Sequence, residues 1–220
     1  MSMITTARPS EIDTERTSLI KDAASLGVTL DDLAARKLFT LLDELSRWNK
    51  TYNLTAIGER RDMIVRHLLD SLAVWPLLEG SRIIDVGTGA GFPGLPLAIA
   101  DPNRQFTLLD SNGKKVRFVA HAARMLDLGN VHAIHARAES HTPSTVYDTV
   151  VTRAFAPLPE LLEKVAGLCG PNTLVLAMKG RRQSAERKGL PAGWRIETDR
   201  DLSIPGLAES RHAIALRRMA

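Results

Sequence analysis

A glycine-rich stretch in the middle of the chain constrains its fold more than any other feature. An apolar run over residues 82–86 contains Asp85 near its end, and Gly87, Gly89 and Gly91 follow. Glycine adopts positive φ without steric cost, so these positions let the chain turn sharply and let a ligand lie against the main chain. Apolar residues at helical spacing come next. The stretch predicts a strand, a tight turn and a helix, which is how a Rossmann-like domain begins.

Two classes of ligand suit such a turn. Gly89, Gly91 and Gly94 form a literal G-x-G-x-x-G, so a nicotinamide or flavin dinucleotide is one alternative. Asp85, two residues before the first glycine, would repel a pyrophosphate and would suit a cation. S-adenosylmethionine carries an ammonium and a sulfonium but no phosphate. The acid therefore favours S-adenosylmethionine, while a turn without any ligand is the remaining alternative.

An acid at the end of the second predicted strand strengthens the nucleoside interpretation. Asp110 lies 19 residues beyond Gly91, about the spacing at which such folds place a carboxylate on ribose hydroxyls. Ala138 and Glu139 follow the third strand, where a nucleoside base would lie if Asp110 holds its ribose. The glycine turn and Asp110 together predict a nucleoside cofactor.

The carboxyl ends of the later strands carry cations. Arg153 ends the fourth strand, and we expect it either to hold a carboxylate or phosphate or to form a structural ion pair. Lys179 ends the fifth strand and begins a basic loop, which either contacts a phosphate backbone or is solvated. The loop continues with Arg181, Arg182, Arg187 and Lys188. The predicted strands are residues 82–86, 105–110, 131–135, 147–153, 173–180, 194–197 and 212–216.

The first 80 residues are predicted to be a polar tail over residues 1–17 followed by a helical extension. A capping box near residue 31 starts a helix that reaches about Asn49. Residues 48–55 then interleave aromatic, basic and amide side chains, which suits either RNA binding or an ordinary loop whose aromatics plug the core. In the next helix, Arg66 and Asp70 are predicted to pair at i, i+4, and a role facing a substrate is the alternative. The predicted domains are residues 1–80 and 81–220.

Composition limits the function classes. The 220 residues carry a net charge of +4, and the excess of Lys and Arg lies after residue 80, which permits a polyanionic partner. A single cysteine, Cys169, excludes intrachain disulfides and cysteine-based zinc clusters. His132 and His135 lie at odd spacing on a strand, so they point to opposite faces and predict no metal site. No apolar run is long enough to span a bilayer, so we expect a cytoplasmic protein.

Several motifs are distributed along the chain: Trp48-Asn49-Lys50, Tyr52-Asn53-Leu54-Thr55, Arg66-His67, Leu69-Asp70-Ser71, residues 85–96, Leu108 to Ser111 with Lys114-Lys115, Arg137-Ala138-Glu139, Arg153-Ala154 and Lys179-Gly180. Together they resemble the RsmG (GidB) family, the bacterial small-subunit ribosomal RNA guanine-N7 methyltransferases. The resemblance covers about residue 30 to the end of the chain. It implies S-adenosylmethionine as methyl donor, and as acceptor the guanine at position 527 of 16S rRNA in the usual rRNA numbering. It also implies an α/β Rossmann-like methyltransferase fold, a mostly parallel seven-stranded sheet with helices on both faces and an N-terminal helical extension.

The resemblance also implies which residues form the site. Carried onto this chain, the cofactor contacts are Gly87, Phe92, Ala138, Glu139 and Arg153, with Asp110 in the ribose-binding place. The expected partner is 16S rRNA or the small ribosomal subunit, and the chain is expected to act as a monomer without a metal.

Guanine N7 is an exposed lone pair with no proton to remove, so the reaction needs no general base. We therefore expect no classical catalytic residue. Arg153, Lys179 and the segment 48–55 are predicted to position the RNA. Two alternatives remain open at this point, an NAD-dependent oxidoreductase and a non-catalytic rRNA-binding assembly factor.

Overall fold

Seven strands form one sheet in the part of the chain that the structure describes. The structure is a computed structural model that describes residues 9–153, 155–182 and 189–219, with side chains from residue 13 onward. The strand order is β3-β2-β1-β4-β5-β7-β6, in which β1 to β5 are parallel and β7 is antiparallel to both of its neighbours. The predicted mostly parallel seven-stranded sheet is confirmed. The strands are β1 Arg82–Val86, β2 Gln105–Asp110, β3 Val131–His135, β4 Tyr147–Arg153, β5 Cys169–Lys179, β6 Trp194–Asp201 and β7 His212–Arg218.

Helices cover both faces of this sheet, as predicted. Side chains alternate along a strand, so neighbouring strand residues enter different cores. In β1, Ile83 joins the core formed with the N-terminal helices, whereas Ile84 joins the core on the opposite face. The helices are α1 Pro9–Ser25, α2 Asp32–Tyr52, α3 Arg60–Met63, α4 Asp70–Leu72, α5 Gly94–Ala100, α6 Gly113–Met125 and α7 Leu158–Val165. Helices α2, α5 and α6 pack on the first face and α7 on the second.

Two predictions about the N-terminal helices are wrong in their bounds. Helix α1 begins at Pro9, so residues 9–17 are not a frayed tail. Helix α2 begins after the N-cap Asp31, within the predicted capping box of residues 29–32, but it runs to Tyr52 instead of ending near Asn49. It ends there because Asn53 adopts a left-handed conformation with φ of 50°, which closes the helix. Residues 48–52 are therefore helical, and only the remainder of the segment 48–55 is a loop.

The predicted ion pair between Arg66 and Asp70 is also wrong. Residues Ile64–Leu69 form a π-helix between α3 and α4, and Asp70 N–H donates to the carbonyl of Val65, five residues earlier. The additional residue in this turn removes the i, i+4 alignment on which the prediction depended. Arg66 instead pairs with Glu209, at 2.6 Å. Asp70 is left to face the sheet.

The extension and the sheet share one apolar core. Leu38, Leu41 and Leu45 of α2 lie in the same cluster as Ile83 of β1. On α6, Phe118 is fully buried, and the edge of its ring meets Trp48 of α2 at a centroid distance of 5.6 Å. Division of the chain at residue 80 stays a prediction, and this contact offers a way to measure how strongly the two parts are coupled.

We expect Phe118→Ala to lower the free energy of unfolding by about 3–5 kcal/mol, because it removes a ring from a close-packed core. Urea unfolding followed both by tryptophan fluorescence and by circular dichroism measures the loss. Met125→Ala is the matched control on the same helix, since that side chain is exposed, and it should change stability by no more than about 0.5 kcal/mol. A loss of similar size in both variants would contradict a shared core at Phe118.

Candidate functional site

The glycine turn after β1 is fixed by hydrogen bonds to the neighbouring strand. Gly87 has φ of 70°, and the amides of Gly87 and Thr88 both donate to the carbonyl of Leu109, at 2.8 and 3.1 Å. A Cβ on Gly87 would lie 2.4 Å from Cδ2 of Phe155. Both the backbone conformation and the close approach of Phe155 therefore require glycine at this position.

The buried side chain of Asp85 stabilises this turn. Its carboxylate is fully buried, and Oδ2 accepts from Thr88 Oγ1 at 2.6 Å and from Gly94 N at 2.8 Å. Burial raises the pKa of Asp85 to about 6. The residue therefore fixes the glycine turn and the start of α5, and its contacts do not place it on the open side of the turn. This differs from the interpretation that Asp85 meets a cationic ligand, because Asp85 points to the same face of β1 as Ile83, under α5.

Four of the six predicted cofactor residues line one cavity of about 270 Å³, which we name the glycine-turn crevice. They are Gly87, Asp110, Ala138 and Glu139. Asp110 is mostly buried, and its two oxygens accept from the amides of Gly89 and Asn112, both at 2.8 Å. The other lining residues were not predicted as cofactor contacts, although Leu109, Ser111, Lys115 and Arg137 lie in the quoted motifs. In full, these other lining residues are Leu109, Ser111, Lys115, Ala136, Arg137, Phe155 and Lys164.

The other two predicted cofactor residues, Phe92 and Arg153, do not line that crevice. Phe92 is buried and stacks on His67 at a centroid distance of 4.5 Å, with 20° between the rings. Arg153 Nη1 donates to the carbonyl of Arg66 at 2.9 Å and to Asp70 Oδ2 at 3.1 Å. Its guanidinium carbon lies 5.8 Å from the centre of the Phe92 ring. Of the two roles predicted for Arg153, the ion pair is the one present in the structure.

Arg153 and Lys179 instead line a second cavity, of about 390 Å³, on the other side of the end of β4. We name it the strand-end cavity. Lys179 Nζ donates to the carbonyl of Ala156 at 2.8 Å, which ties the end of β5 to the segment after β4. The strand-end cavity is lined by Ile57, Arg66, His67, Asp70, Arg153, Met178, Lys179, Gly180, Leu202, Arg211 and His212.

The charged side chains of the strand-end cavity make it a cationic site. Four of them are cations, and Asp70 is the one carboxylate among the described lining residues. Asp70 lies between two of these cations, with Arg153 Nη1 at 3.1 Å from Oδ2 and Arg211 Nε at 3.3 Å from Oδ1. His67 adds no charge near neutral pH, because burial and the nearby Arg153 lower its pKa to about 4. The cavity therefore suits an anionic or electron-rich ligand.

The loop after α2 also reaches the strand-end cavity. The side-chain amide of Asn49 makes two hydrogen bonds to the backbone of Thr55, with Oδ1 accepting at 2.8 Å and Nδ2 donating at 2.9 Å. Thr55 Oγ1 lies 3.1 Å from His67 Nε2, and Ile57 lines the cavity. The predicted segment 48–55 thus contributes by supporting His67, and its aromatic residues Trp48 and Tyr52 stack on each other at 5.3 Å elsewhere on α2.

Sequence reasoning missed the residues that come from β7. Arg211 immediately precedes β7 and His212 begins it, and β7 is antiparallel, so its start reaches the edge at which the parallel strands end. The sequence predicted a strand at residues 212–216 without its direction, and the polar residues at its start were the available signal. Of the basic loop, Arg182 pairs with Asp199 and Asp201, whereas Arg187 and Lys188 lie outside the described residues.

Other chemistries find little support in the described part of the chain. Within residues 9–153, 155–182 and 189–219, no group of three or more His, Cys, Asp or Glu side chains could hold a metal ion. Burial raises the pKa of Cys169 to about 12, so its thiol stays protonated near neutral pH. None of the helices that the structure describes has both the length and the apolar character needed to cross a bilayer.

The stability of the wild type and of Asp85→Asn should diverge with pH. The pKa of Asp85 is raised from 3.8 to about 6 in the folded protein, so the stability contributed by the protonated form is present below about pH 4 and is lost as the pH rises through about 6. We expect the wild type to lose roughly 3 kcal/mol relative to Asp85→Asn, which does not titrate, between pH 4 and pH 7. Urea unfolding of both proteins at several pH values measures this difference, and a difference that stays constant with pH would contradict the buried carboxylate.

Solved structures share the fold of this chain at low identity. A SAM-dependent methyltransferase from Aquifex aeolicus has a TM-score of 0.54 and 17% identity, and the match covers 72% of this chain and 94% of that one. The [4+2]-cyclase SpnF has a TM-score of 0.54 and 18% identity, over 71% of this chain and 81% of that one. The predicted Rossmann-like methyltransferase fold is confirmed, and these structures do not by themselves fix the reaction.

Comparison of whole sequences identifies the family. The family model described as rRNA small subunit methyltransferase G matches residues 34–214. A protein named ribosomal RNA small subunit methyltransferase G from Nitrosococcus oceani is 45% identical over 199 residues, which cover 90% of this chain and 93% of the relative. A protein of the same name from Pseudomonas syringae pv. syringae is 41% identical over 219 residues, 100% of this chain and 99% of the relative. This chain belongs to the rRNA small subunit methyltransferase G family.

Proposed function

We propose that this protein transfers the methyl group of S-adenosylmethionine to N7 of a guanine in 16S rRNA of the small ribosomal subunit, at position 527 in the usual numbering. The observation that carries the proposal is the arrangement of two cavities on either side of the end of β4. One is lined by the glycine turn and a ribose-spaced acid, and the other is cationic. An oxidoreductase and a non-catalytic assembly factor are not favoured, since the family is one of methyltransferases.

The adenosyl part of the cofactor fits the glycine-turn crevice. An ionised carboxylate has about four lone-pair positions, so Asp110 can accept from ribose hydroxyls in addition to the amides of Gly89 and Asn112. Ala138 and Glu139 would lie beside the base, and Gly87 would lie against the sugar and the chain that follows it.

Arg153 and Phe92 belong to the other end of the cofactor in this proposal. Arg153 has five N–H donors, and the hydrogen bonds to Arg66 and Asp70 use one nitrogen, Nη1. The remaining donors can hold the carboxylate of the methionine part. Phe92 keeps the guanidinium in place from one side.

The reaction requires the protein to position the two reactants, and it requires no proton transfer. When bound, the cofactor supplies a methyl group on a sulfonium, and N7 of guanine supplies the lone pair that attacks it. Holding the two in line can supply roughly 7–11 kcal/mol at best. The neutral His67 and the protonated Cys169 are therefore not needed as bases or nucleophiles. Lys179 and Arg153 are proposed to orient the RNA at the strand-end cavity.

Partner and location follow from the same proposal. The acceptor is 16S rRNA or the assembled small subunit, so the enzyme is proposed to act in the cytoplasm, as a monomer.

The direct test uses labelled S-adenosylmethionine and small ribosomal subunits that lack the modification. The proposal expects incorporation of label at N7 of one guanine, mapped by cleavage of the modified strand. Incorporation at another base would overturn the assignment of the acceptor. Binding of NAD in calorimetry, with no binding of S-adenosylmethionine, would overturn the methyltransferase proposal, and binding of RNA without any transfer would support the assembly-factor alternative.

Substitutions of Lys179 and of Arg153 should differ in their effects on kcat and on the binding of S-adenosylmethionine. We expect Lys179→Ala to lower kcat by about 10–100-fold, because it removes a charged hydrogen-bond donor from the strand-end cavity. Its Kd for S-adenosylmethionine should stay within about 3-fold of the wild type, a difference of less than 1 kcal/mol. Arg153→Ala should weaken the binding of S-adenosylmethionine as well. Timed methylation assays on small subunits measure kcat, and calorimetry measures the Kd for S-adenosylmethionine.

Exposed cations on the N-terminal helices provide the controls. Lys21→Ala and Arg36→Ala remove the same side-chain types at exposed positions of α1 and α2, outside both cavities, and should leave kcat unchanged. Wild-type methylation by both Lys179→Ala and Arg153→Ala would contradict the positioning roles.

A further inference from the structure

Three buried polar atoms that lack a hydrogen-bond partner among the described residues belong to side chains of the strand-end cavity. They are Asp70 Oδ1, His212 Nε2 and His67 Nδ1, and each of these side chains is at least nine-tenths buried. Buried polar atoms are nearly always hydrogen-bonded, so a group of exceptions around one cavity indicates a polar ligand. Asp70 Oδ1 lies 3.3 Å from Arg211 Nε in an ion pair, but it accepts no hydrogen bond from any described residue.

His212 is held so that its ring presents an acceptor. Nδ1 lies 2.7 Å from Asp199 Oδ1, and the same carboxylate group lies 3.2 Å from Arg182. Since a carboxylate accepts the Nδ1 proton, the neutral ring carries its lone pair on Nε2, the atom without a partner. The strand-end cavity thus has an imidazole acceptor in His212 and a carboxylate acceptor in Asp70.

We infer that the strand-end cavity binds the acceptor guanine by its N1–H and N2–H₂ edge, with Asp70 accepting from N1–H and His212 accepting from the 2-amino group. This inference rests on the proposed function and deepens it, since it assigns the residues that distinguish guanine from other bases. The cavity, of about 390 Å³, lies within the range of ordinary small-molecule sites.

The reaction itself dictates which edge the protein can use. The commonest protein contact to guanine is an arginine or lysine donating to O6 and N7. That contact is unavailable for N7 here, because the N7 lone pair must attack the methyl group. The base must then be recognised from its other side, which presents two kinds of donor, N1–H and N2–H₂. Acceptors are required there, and Asp70 and His212 supply them. Adenine presents an acceptor at N1 and no 2-amino group, so it would leave both acceptors unpaired.

The same contacts should strengthen as the reaction proceeds. The bond from N7 to the methyl carbon forms while the bond from that carbon to sulfur breaks, and the electron pair of the broken bond stays on sulfur. The positive charge of the sulfonium is thereby transferred to the base, which makes N1–H a better donor. The contact from N1–H to the Asp70 carboxylate then binds the transition state more strongly than the substrate, and it offsets part of the repulsion between the charged base and the four cations of the cavity. The Asp70 carboxylate is assigned to N1–H for this reason, and the His212 imidazole to the amino group.

The test compares guanosine with inosine, which lacks the 2-amino group, at the target position of small subunits reconstituted from ligated 16S rRNA. For the wild type, we expect inosine to lower kcat/KM by about 10–100-fold, the value of one good base contact. His212→Phe keeps a ring of similar shape but removes the acceptor, so it should lose a similar factor on guanosine. The additional penalty for inosine in this variant should fall below about 3-fold, because the two changes remove the same contact.

A second variant guards against a simple folding defect. Asp199→Asn lets an amide donate to Nδ1, which moves the ring proton to Nε2 and removes the acceptor, so it should reproduce the loss of discrimination. His132→Phe, at an exposed position of β3, is the matched control and should keep the full inosine penalty. Calorimetry with S-adenosylmethionine checks that each variant still binds the cofactor.

The outcomes separate this inference from the proposed function. If the wild type methylates inosine as well as guanosine, or if His212→Phe and Asp199→Asn keep the full penalty, the assignment of His212 is overturned while methyl transfer to guanine stands. If the wild type transfers no methyl group to guanosine in small subunits, the proposed function itself fails.

Discussion

The buried carboxylate of Asp70 joins the three parts of the molecule that meet at the strand-end cavity. It follows the π-helix of the N-terminal extension, and it contacts Arg153 at the end of β4 and Arg211 at the start of β7. Removing one partner of a buried ion pair leaves an uncompensated charge. The two ion pairs of Asp70 therefore fix the arrangement of the three parts more than they add to the net free energy of unfolding. The π-helix is what turns Asp70 toward the sheet and away from Arg66.

This arrangement separates two tasks at one edge of the sheet. The ends of β1 and β2 and the turn after β3 form the glycine-turn crevice, in which backbone amides and Asp110 suit a nucleoside. The ends of β4 and β5, the start of β7 and the π-helix form the strand-end cavity, in which side chains dominate. The end of β4 lies between them, since Arg153 lines one cavity and Phe155 the other. Methyl transfer between two bound molecules needs such a pair of adjoining sites.

Much of the fold and part of the candidate site could be predicted from the sequence, wherever local rules decide the structure. The bounds of β2, β3 and β4 agree with the predicted ones because each is a short apolar run that ends in a polar residue. Asp110 and Gly87 were predicted as cofactor residues from their positions at the ends of strands, and both line the glycine-turn crevice. The interpretation that Asp85 meets a cationic ligand was wrong, although strand alternation places this residue with Ile83 on the face covered by α5.

Other features depend on contacts between distant segments, which no local pattern contains. The π-helix broke the i, i+4 rule at Asp70, and the pairing of Asp70 with Arg211 joins residues far apart in the chain. His212 becomes part of the site because the last strand is antiparallel, so its beginning meets the ends of β4 and β5. A fold that this chain shares with a cyclase at a TM-score of 0.54 cannot by itself select an acceptor. The proposed selection of guanine therefore rests on side chains of the strand-end cavity, which the chain collects from its N-terminal helices and its final strand.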